Sequence, residues 1–455
     1  MADYLRDVGD RRVAPEAKPG EIRAALPEAP PEQGEPFERL MADFERLIVP
    51  GMTHWNHPGW FAYFPANHSP PSILAEMLTA TLGAQCMSWQ TSPAATELEQ
   101  VTMRWLGRML HLPEGFTGVI QDTASTATLV ALISARERAA GYAVEGLGLR
   151  AAPPLRVYAS SEAHSSVLKG VRVAGFGAQA LRQVPVDGEF AMRPDALAAM
   201  LEHDVREGLV PACVVATVGT TSSTAIDPLR AIGEVCREYG AWLHVDAAYG
   251  GASALLPECR AYFEGLELAD SFVFNPHKWM LVNFDCTAYF VRDVAALLRV
   301  FSLTPEYLKT AHDVDVVNFR DWGVQLGRRF RALKLWFVIR SYGVDGLRGL
   351  VRKHIALGRE FAGWVDASPD FERLAPSPLG LVCFRHRPAD WPADEGRLEA
   401  HNRALLARVN ASGRVFLTHT MLGGRYAIRL AVGQRCTEQE HVALAWRLLQ
   451  EAARG

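Results

Sequence analysis

WLHVDAAYGG, residues 242–251, decides the reading of this chain. A short run of strand-forming side chains stops on an acid, Asp246, and gives way to small residues. ADSFVFN, residues 269–275, repeats the pattern and stops on Asn275, just before Pro276, His277 and Lys278. Apolar runs this short, bounded by small or turn-forming residues, are expected for strands buried on both faces. LRVYAS (155–160) and ACVVATVG (212–219) are further runs of the kind, and DPLRAIGEVCREYG (227–240) between them and the next strand has helical periodicity. Strand and helix in alternation imply a mainly parallel α/β sheet with helices on both faces.

Outward from that centre the pattern changes. LAEMLTATLGA (74–84), TELEQVTMRWLGRMLHL (96–112) and TATLVALISARERAAG (126–141) carry apolar residues at helical spacings of three and four. The opening stretch through Pro36 is rich in Pro, Glu and Ala and reads as an arm leading into a helix over 37–48. An arm with so little core of its own needs a surface to lie on. Beyond Arg331 a long helix, ALKLWFVIRSYG (332–343), precedes further helices and the strands GLVCFRH (380–386) and YAIRLAVG (426–433), a smaller α+β unit. The expected organisation is an N-terminal arm over 1–69, a large α/β domain over 70–335 and a small C-terminal domain over 336–455.

The bulk properties agree with a globular protein. Of 455 residues, 49 % are hydrophobic and 22 % charged, which rules out a disordered or fibrous chain. The net charge of −4 comes with no basic block interleaved with aromatics, so nucleic acid is not expected as a partner. Seven cysteines are dispersed without C-x-x-C spacing, which points to reduced thiols rather than a disulfide framework or a metal site. MADYLRDVGDRR mixes charges of both signs where a signal peptide needs a basic start and an apolar run. No apolar run approaches the roughly 18–20 residues of a membrane-spanning helix, and a soluble, cytoplasmic protein is expected.

The chemistry gathers at the strand ends, where open α/β sheets bind ligands. Lys278 follows one strand and Asp246 ends another, 32 residues earlier. A lysine there forms an imine with an aldehyde, and an acid holds a pyridine nitrogen protonated so that the ring withdraws electrons. Those are the two protein groups that pyridoxal 5'-phosphate (PLP) most needs. Either residue alone reads equally as a surface lysine or as an aspartate satisfied by backbone donors. QDTASTATLVALISA (121–135) opens a helix with small and hydroxyl residues. Its free N–H groups, dipole end and the Thr123 and Ser125 hydroxyls suit a phosphate, or form an ordinary helix cap. His164, in SSEAHSSV, either lies on a ring face or is a hydrogen-bonded core histidine.

HWNHPGWFAYFPAN (54–67), SWQTSPAATELE (88–99), EAHSSV (162–167), VATVGTTS (215–222), WLHVDAAYGG, ADSFVFNPHKWMLVNFDC (269–286) and LGRRFRALKLWFV (326–338) follow one another along the chain. In order and spacing they resemble the group II PLP-dependent amino-acid decarboxylases of fold type I, most of all the aromatic L-amino-acid decarboxylases. The resemblance covers roughly nine tenths of the chain. It implies that Lys278 is the Schiff-base lysine, that Asp246 pairs with the pyridinium nitrogen and that His164 stacks on the ring. Thr123, Ala124, Ser125 and Asn275 match phosphate-holding positions, and Thr220 and His277 cofactor-proximal ones. Tyr307, in LTPEYLK, matches a loop tyrosine that protonates the carbon left by carbon dioxide. Relatives with phenylalanine there tend toward oxidative deamination to an aldehyde. The resemblance also implies a homodimer formed by exchange of the arm, with active sites shared between subunits.

The same resemblance places Trp55, Tyr63, Phe64, Ala66, Gln85, Met87 and Gly327 around the substrate side chain, where an aromatic wall favours a flat ring. FAYF reads equally as plain core. Met87 stands where the animal enzymes have a phenylalanine, Ala66 where they have a threonine, and Thr126 replaces a common acid. Arg429, in YAIRLAVG, resembles a small-domain arginine that either makes a structural salt bridge or binds carboxylate. The expected activity is decarboxylation of tryptophan, phenylalanine, tyrosine or dihydroxyphenylalanine. Histidine decarboxylation and an aldehyde-forming oxidative deaminase are the alternatives. A fold type I transaminase and a catalytically silent paralogue fit less well, given Tyr307 and the intact Lys278, Asp246 and His164.

Overall fold

The computed structural model describes residues 2–303, 305, 306, 312, 315–392 and 394–454. A seven-stranded sheet is built from β1 (Thr117–Gln121), β2 (Leu155–Ser160), β3 (Leu181–Val184), β4 (Val210–Thr217), β5 (Trp242–Asp246), β6 (Ser271–Phe274) and β7 (Thr287–Val291). Their spatial order is β1-β7-β6-β5-β4-β2-β3. β7 runs antiparallel to both neighbours, and the remaining pairs are parallel. The C-terminal ends of six strands and the start of β7 therefore share one edge, with Gln121 opposite Thr287 and Thr217 opposite Asp246.

Both faces of this sheet are covered, which explains why its strands read as continuous apolar runs rather than alternating ones. Val119, Val157, Val215, Val273 and Tyr289 face one layer, with the helix Ala124–Ala139 packed over them. Ile120, Tyr158, Val214, Leu243, Val245, Phe272 and Phe274 face the other. Three strands were not legible beforehand. β1 contains Gly118, β3 is a polar edge strand, and β7 is a short run that pairs antiparallel with both of its neighbours.

A second, antiparallel sheet has β8 (Phe371–Arg373), β9 (Leu381–His386), β10 (Thr418–Leu422) and β11 (Arg425–Ala431) in the order β10-β11-β9-β8. Helices Glu395–Ala411 and Gln439–Arg454 pack on it through Leu405, Val409, Val442 and Leu449. The helical stretch Arg331–Ala367 is two helices broken at Gly343, whose φ of 64° and ψ of 172° a residue with a Cβ avoids. Leu381, Cys383 and Ala427 of the second sheet belong to the same buried cluster as β4 and β5, so packing is continuous between the sheets. The arm contains helices Ala2–Asp7 and Glu21–Ala25, and Phe37–Asp43 runs on into a π-helical turn over Phe44–Ile48.

One buried ion pair ties three segments together. Arg328 donates to Glu99 at 2.7 Å and to the Ile120 carbonyl at 2.8 Å, while the Ile120 amide donates to the same Glu99 oxygen at 2.8 Å. Removing one member strands a buried charge. Glu99→Ala is expected to destabilise the protein by about 3–5 kcal/mol, read as a fall in thermal midpoint; a midpoint within a degree of wild type would contradict this.

Candidate active site

The shared strand edge carries the site. Asp246 is the last residue of β5 and is buried; one carboxylate oxygen accepts from the Ala248 amide at 3.0 Å, and the other has no hydrogen-bond partner among the described residues. The close packing that buries it needs Gly250, since a Cβ there would collide with the Val218 carbonyl. Lys278 lies in the helical turn Pro276–Trp279 that follows β6. Its amine sits 5.5 Å from the centre of the Phe64 ring and has no hydrogen-bond acceptor among the described residues. Desolvation pulls this amine below the usual lysine range, with the Asp246 charge opposing.

His164 follows β2. Its Nδ1 accepts from the Ser166 amide at 3.1 Å and lies 2.8 Å from the Ser166 hydroxyl. An amide N–H only donates, so the imidazole proton sits on Nε2. Desolvation lowers the His164 pKa, with Asp246 opposing and Lys278 reinforcing. His277 is arranged alike: it is buried, and its Nδ1 accepts from the Cys286 amide at 2.9 Å. Desolvation brings its pKa to about 3. Both imidazoles are thus fixed as neutral Nε2–H donors.

Thr123 caps the helix Ala124–Ala139, its hydroxyl accepting from the Thr126 amide at 3.4 Å. Ser125, in the first turn, is exposed and its hydroxyl is unengaged. Asn275 is buried with its Oδ1 accepting from Thr287 at 3.0 Å, which leaves its Nδ2 without a partner. Thr287 also stands 3.1 Å from the Asp122 carbonyl, so it can hold the cap loop against Asn275. Thr287 went unremarked in the sequence because β7 itself did. Thr220 is fully buried and turned into its own loop, with Oγ1 accepting from the Ala225 amide at 3.0 Å and 3.1 Å from the Ser223 hydroxyl. The Thr126 hydroxyl bonds the Asp122 carboxylate. Burial pushes that acid up, but the bonds from Thr126, Thr123 and Gln325 hold it below the usual range.

Four rings form a stack behind the lysine: Phe64 on Tyr249 at 3.9 Å, Tyr249 on Trp279 at 4.6 Å and Trp279 on His354 at 6.4 Å. Trp55 stacks on Tyr63 at 5.6 Å; both are exposed and pack on Trp60, which stacks on Phe416. Ala66 follows on the same segment. Gln85, Met87 and Gly327 form a separate group. Gln85 accepts from the Arg328 amide at 2.9 Å and touches Gly327, and the Met87 carbonyl accepts from Arg320 at 2.9 Å. Among the described residues no hydrogen bond or ring contact joins this group to the Trp55–Phe64 wall. Tyr307 lies outside the described residues.

Of the two roles weighed for Arg429, the structural salt bridge is not the one that the described residues form. Arg429 is buried, yet no carboxylate pairs with it among the described residues. Instead it donates to the carbonyls of Ser222 at 3.1 Å and Thr221 at 2.8 Å and to the Thr418 hydroxyl at 3.1 Å, and lies 5.3 Å from the Phe64 ring centre. The sequence also gave no sign of Glu162, whose carboxyl is pushed up by burial while its bond to Ser222 opposes. Asn67 is a third such residue: its amide donates to the carbonyls of Lys278 at 3.1 Å and Gly433.

An unpaired buried carboxylate, a desolvated amine, two imidazole donors and an open helix N-terminus facing one edge fit PLP. The Asp246 oxygen suits a protonated pyridine, and the Asn275 amide, Ser125 hydroxyl and helix amides suit a phosphate. Among the described residues no group of three His, Cys, Asp or Glu side chains is placed to hold a metal ion. Fold and site together define a PLP-dependent enzyme of the α/β class. Residues 19–387 match the pyridoxal-dependent decarboxylase conserved domain. An aromatic-L-amino-acid decarboxylase of Sus scrofa is 45 % identical, covering 98 % of this chain and 92 % of that protein. A phenylacetaldehyde synthase of Arabidopsis thaliana is 42 % identical over 100 % and 93 %. The crystal structure of Oryza sativa TDC with PLP and tryptamine superposes with a TM-score of 0.97 at 38 % identity, covering 100 % of this chain and 95 % of that one. The chain belongs to the pyridoxal-dependent decarboxylase family and is a PLP-dependent carboxy-lyase.

Two measurements bear on this geometry. Asn275→Ala is expected to raise the Kd for PLP about 10–100-fold, the loss of one hydrogen bond to a charged group, in a spectrophotometric titration of apoenzyme; an unchanged Kd would remove Asn275 from the phosphate site. His277, His354 and His244 are neutral and buried, with pKa values brought down by desolvation to about 3, 3 and 4. Their unfolded-state values lie near 6.5, so between about pH 6.5 and 4 the unfolded chain binds the extra protons and stability falls as pH falls. Each contributes roughly 1.4 kcal/mol per pH unit in that window. Unfolding midpoints from pH 7 to pH 4.5 check this, with His354→Gln expected to flatten the slope.

Proposed function

We propose that this enzyme removes the α-carboxylate of an aromatic L-amino acid, releasing carbon dioxide and the amine. The observation that carries the reading is the Phe64 ring beside the Lys278 amine, on the segment that also carries the exposed, stacked pair Trp55 and Tyr63. Aromatic side chains there offer a flat apolar ring a stacking surface. The relatives named for aromatic-L-amino-acid decarboxylation and the tryptamine-bound TDC support the same substrate class.

The roles follow from position. Asp246 holds a proton on the pyridine nitrogen, and Lys278 supplies an amine that desolvation keeps closer to its nucleophilic, neutral form. PLP, when bound, supplies the electron sink for the pair released by the breaking Cα–carboxylate bond. His164 presents its ring face and Nε2–H, while Asn275, Ser125 and the helix amides hold the phosphate. Tyr307 is assigned the proton donor to Cα, from its sequence position alone.

A second copy of the chain completes the proposal. Phe37, Leu40, Met41 and Phe44 of the arm and Leu74, Met77, Leu78 and Leu82 of the helix Pro70–Leu82 are exposed apolar residues, a surface that a homodimer would cover. Gln85, Met87 and Gly327 then reach the partner's substrate rather than their own. The seven cysteines are unpaired, six of them buried, which fits a cytoplasmic enzyme. Among the described residues no helix is long and apolar enough to cross a membrane.

The phenylacetaldehyde synthase relative gives the oxidative alternative a concrete form. A panel of aromatic L-amino acids, with carbon dioxide, amine and peroxide followed together, separates the two. Amine without stoichiometric peroxide is expected from at least one substrate, and Tyr307→Phe should raise peroxide per carbon dioxide. Aldehyde with peroxide from the wild type would overturn the reaction, and histidine as the preferred substrate would overturn the substrate class.

A further inference from the structure

A small, partly open cavity lies where the first helix of the arm meets the Gly433–Thr437 loop, lined by Leu5, Val8, Asn56, His68, Gln434 and Arg435, with a volume of about 10 Å³. That is about the room one water-sized sphere occupies. Three buried nitrogens at this cavity have no hydrogen-bond partner: Gln434 Nε2, Arg435 Nε and His68 Nδ1. Gln434 is only 2 % exposed. The Tyr4 hydroxyl donates to Asn56 Oδ1, which turns the Asn56 amide nitrogen toward His68 Nε2 at 2.7 Å. His68 Nε2 is therefore the acceptor, and its Nδ1 carries the proton. All three orphans are donors. One belongs to a guanidinium that pairs with no carboxylate among the described residues.

We propose that this cavity binds a monatomic anion, chloride in the cell. Arg435 is only half-buried, but its Nε is shielded from water without an acceptor, and an anion beside it accepts from all three donors at once. A water molecule has two acceptor lone pairs for three donors and adds two hydrogens that need acceptors of their own. The volume leaves no room for phosphate, sulfate or a carboxylate.

The frame around the cavity is rigid and reaches the active site. The Arg435 amide donates to Asn67 Oδ1 at 3.2 Å, and the same Asn67 side chain donates to the Lys278 carbonyl. The Gln434 carbonyl accepts from the Thr437 amide and lies 3.0 Å from His354 Nε2, and the Thr437 hydroxyl donates to the Pro58 carbonyl at 2.7 Å. The anion would pin the arm helix to the loop that supports Lys278 from behind. This goes beyond the decarboxylase reading and does not depend on it.

Crystals of the PLP-loaded enzyme grown with bromide in place of chloride test the site directly. An anomalous bromine peak between Gln434 Nε2, Arg435 Nε and His68 Nδ1 is expected; its absence, with only water density there, overturns the proposal. Thermal unfolding of the holoenzyme at constant ionic strength gives a second reading, with chloride replaced by gluconate, which is too large to enter. Chloride at ten times its Kd should raise the midpoint by about 1–2 °C, and Arg435→Gln should abolish the difference. An equal chloride effect in Arg435→Gln removes Arg435 from the site. Should that variant fail to fold, the bromide peak in the wild type decides.

Discussion

Asp246 is a carboxylate buried at the end of a central strand, with one oxygen held by the Ala248 amide and the other left open. An ionised acid in such a place is costly unless a positive charge or a hydrogen-bond donor meets it. Lys278, desolvated on the neighbouring strand's end, meets it only in part, since the lowered amine pKa means the positive charge is itself poorly supported. The pair is a site held short of satisfaction by the protein alone. A protonated pyridine is a group that would complete it.

Neutral histidines serve the same end. His164 and His277 each have Nδ1 occupied by a backbone amide, so neither ring gains a proton without breaking a hydrogen bond. His354, behind the Tyr249–Trp279 stack, is fixed likewise by the Trp279 indole N–H and the Gln434 carbonyl. The site is thereby kept from acquiring positive charge that would compete with Lys278 for Asp246. The tautomers are set by strand-end backbone geometry rather than by acidic partners, which differs from the usual carboxylate–histidine device.

Arg429 links this centre to the second sheet. Its bonds to the Thr221 and Ser222 carbonyls hold the loop after β4, its bond to Thr418 reaches β10, and the Thr418 hydroxyl in turn accepts from the Tyr63 amide at 3.3 Å. One guanidinium thus fixes the Thr220 loop, the second sheet and the aromatic wall relative to one another. A carboxylate partner would have drawn it out of that arrangement.

What the sequence by itself determined is what local pattern encodes. Apolar runs ending on Asp246 and Asn275, the hydroxyl-rich start of the helix after Gln121 and the lysine after β6 are each legible because strand periodicity and turn residues act over a few positions. The mainly parallel α/β sheet was legible for the same reason. Tertiary structure decided the rest. β7 and Thr287 emerge only once a reversed strand is inserted between β1 and β6, and the sense of Arg429 only once loops 200 positions away lie beside it. Long-range packing chooses among hydrogen-bond partners that lie far apart in the chain, and spacing along the chain carries no record of that choice.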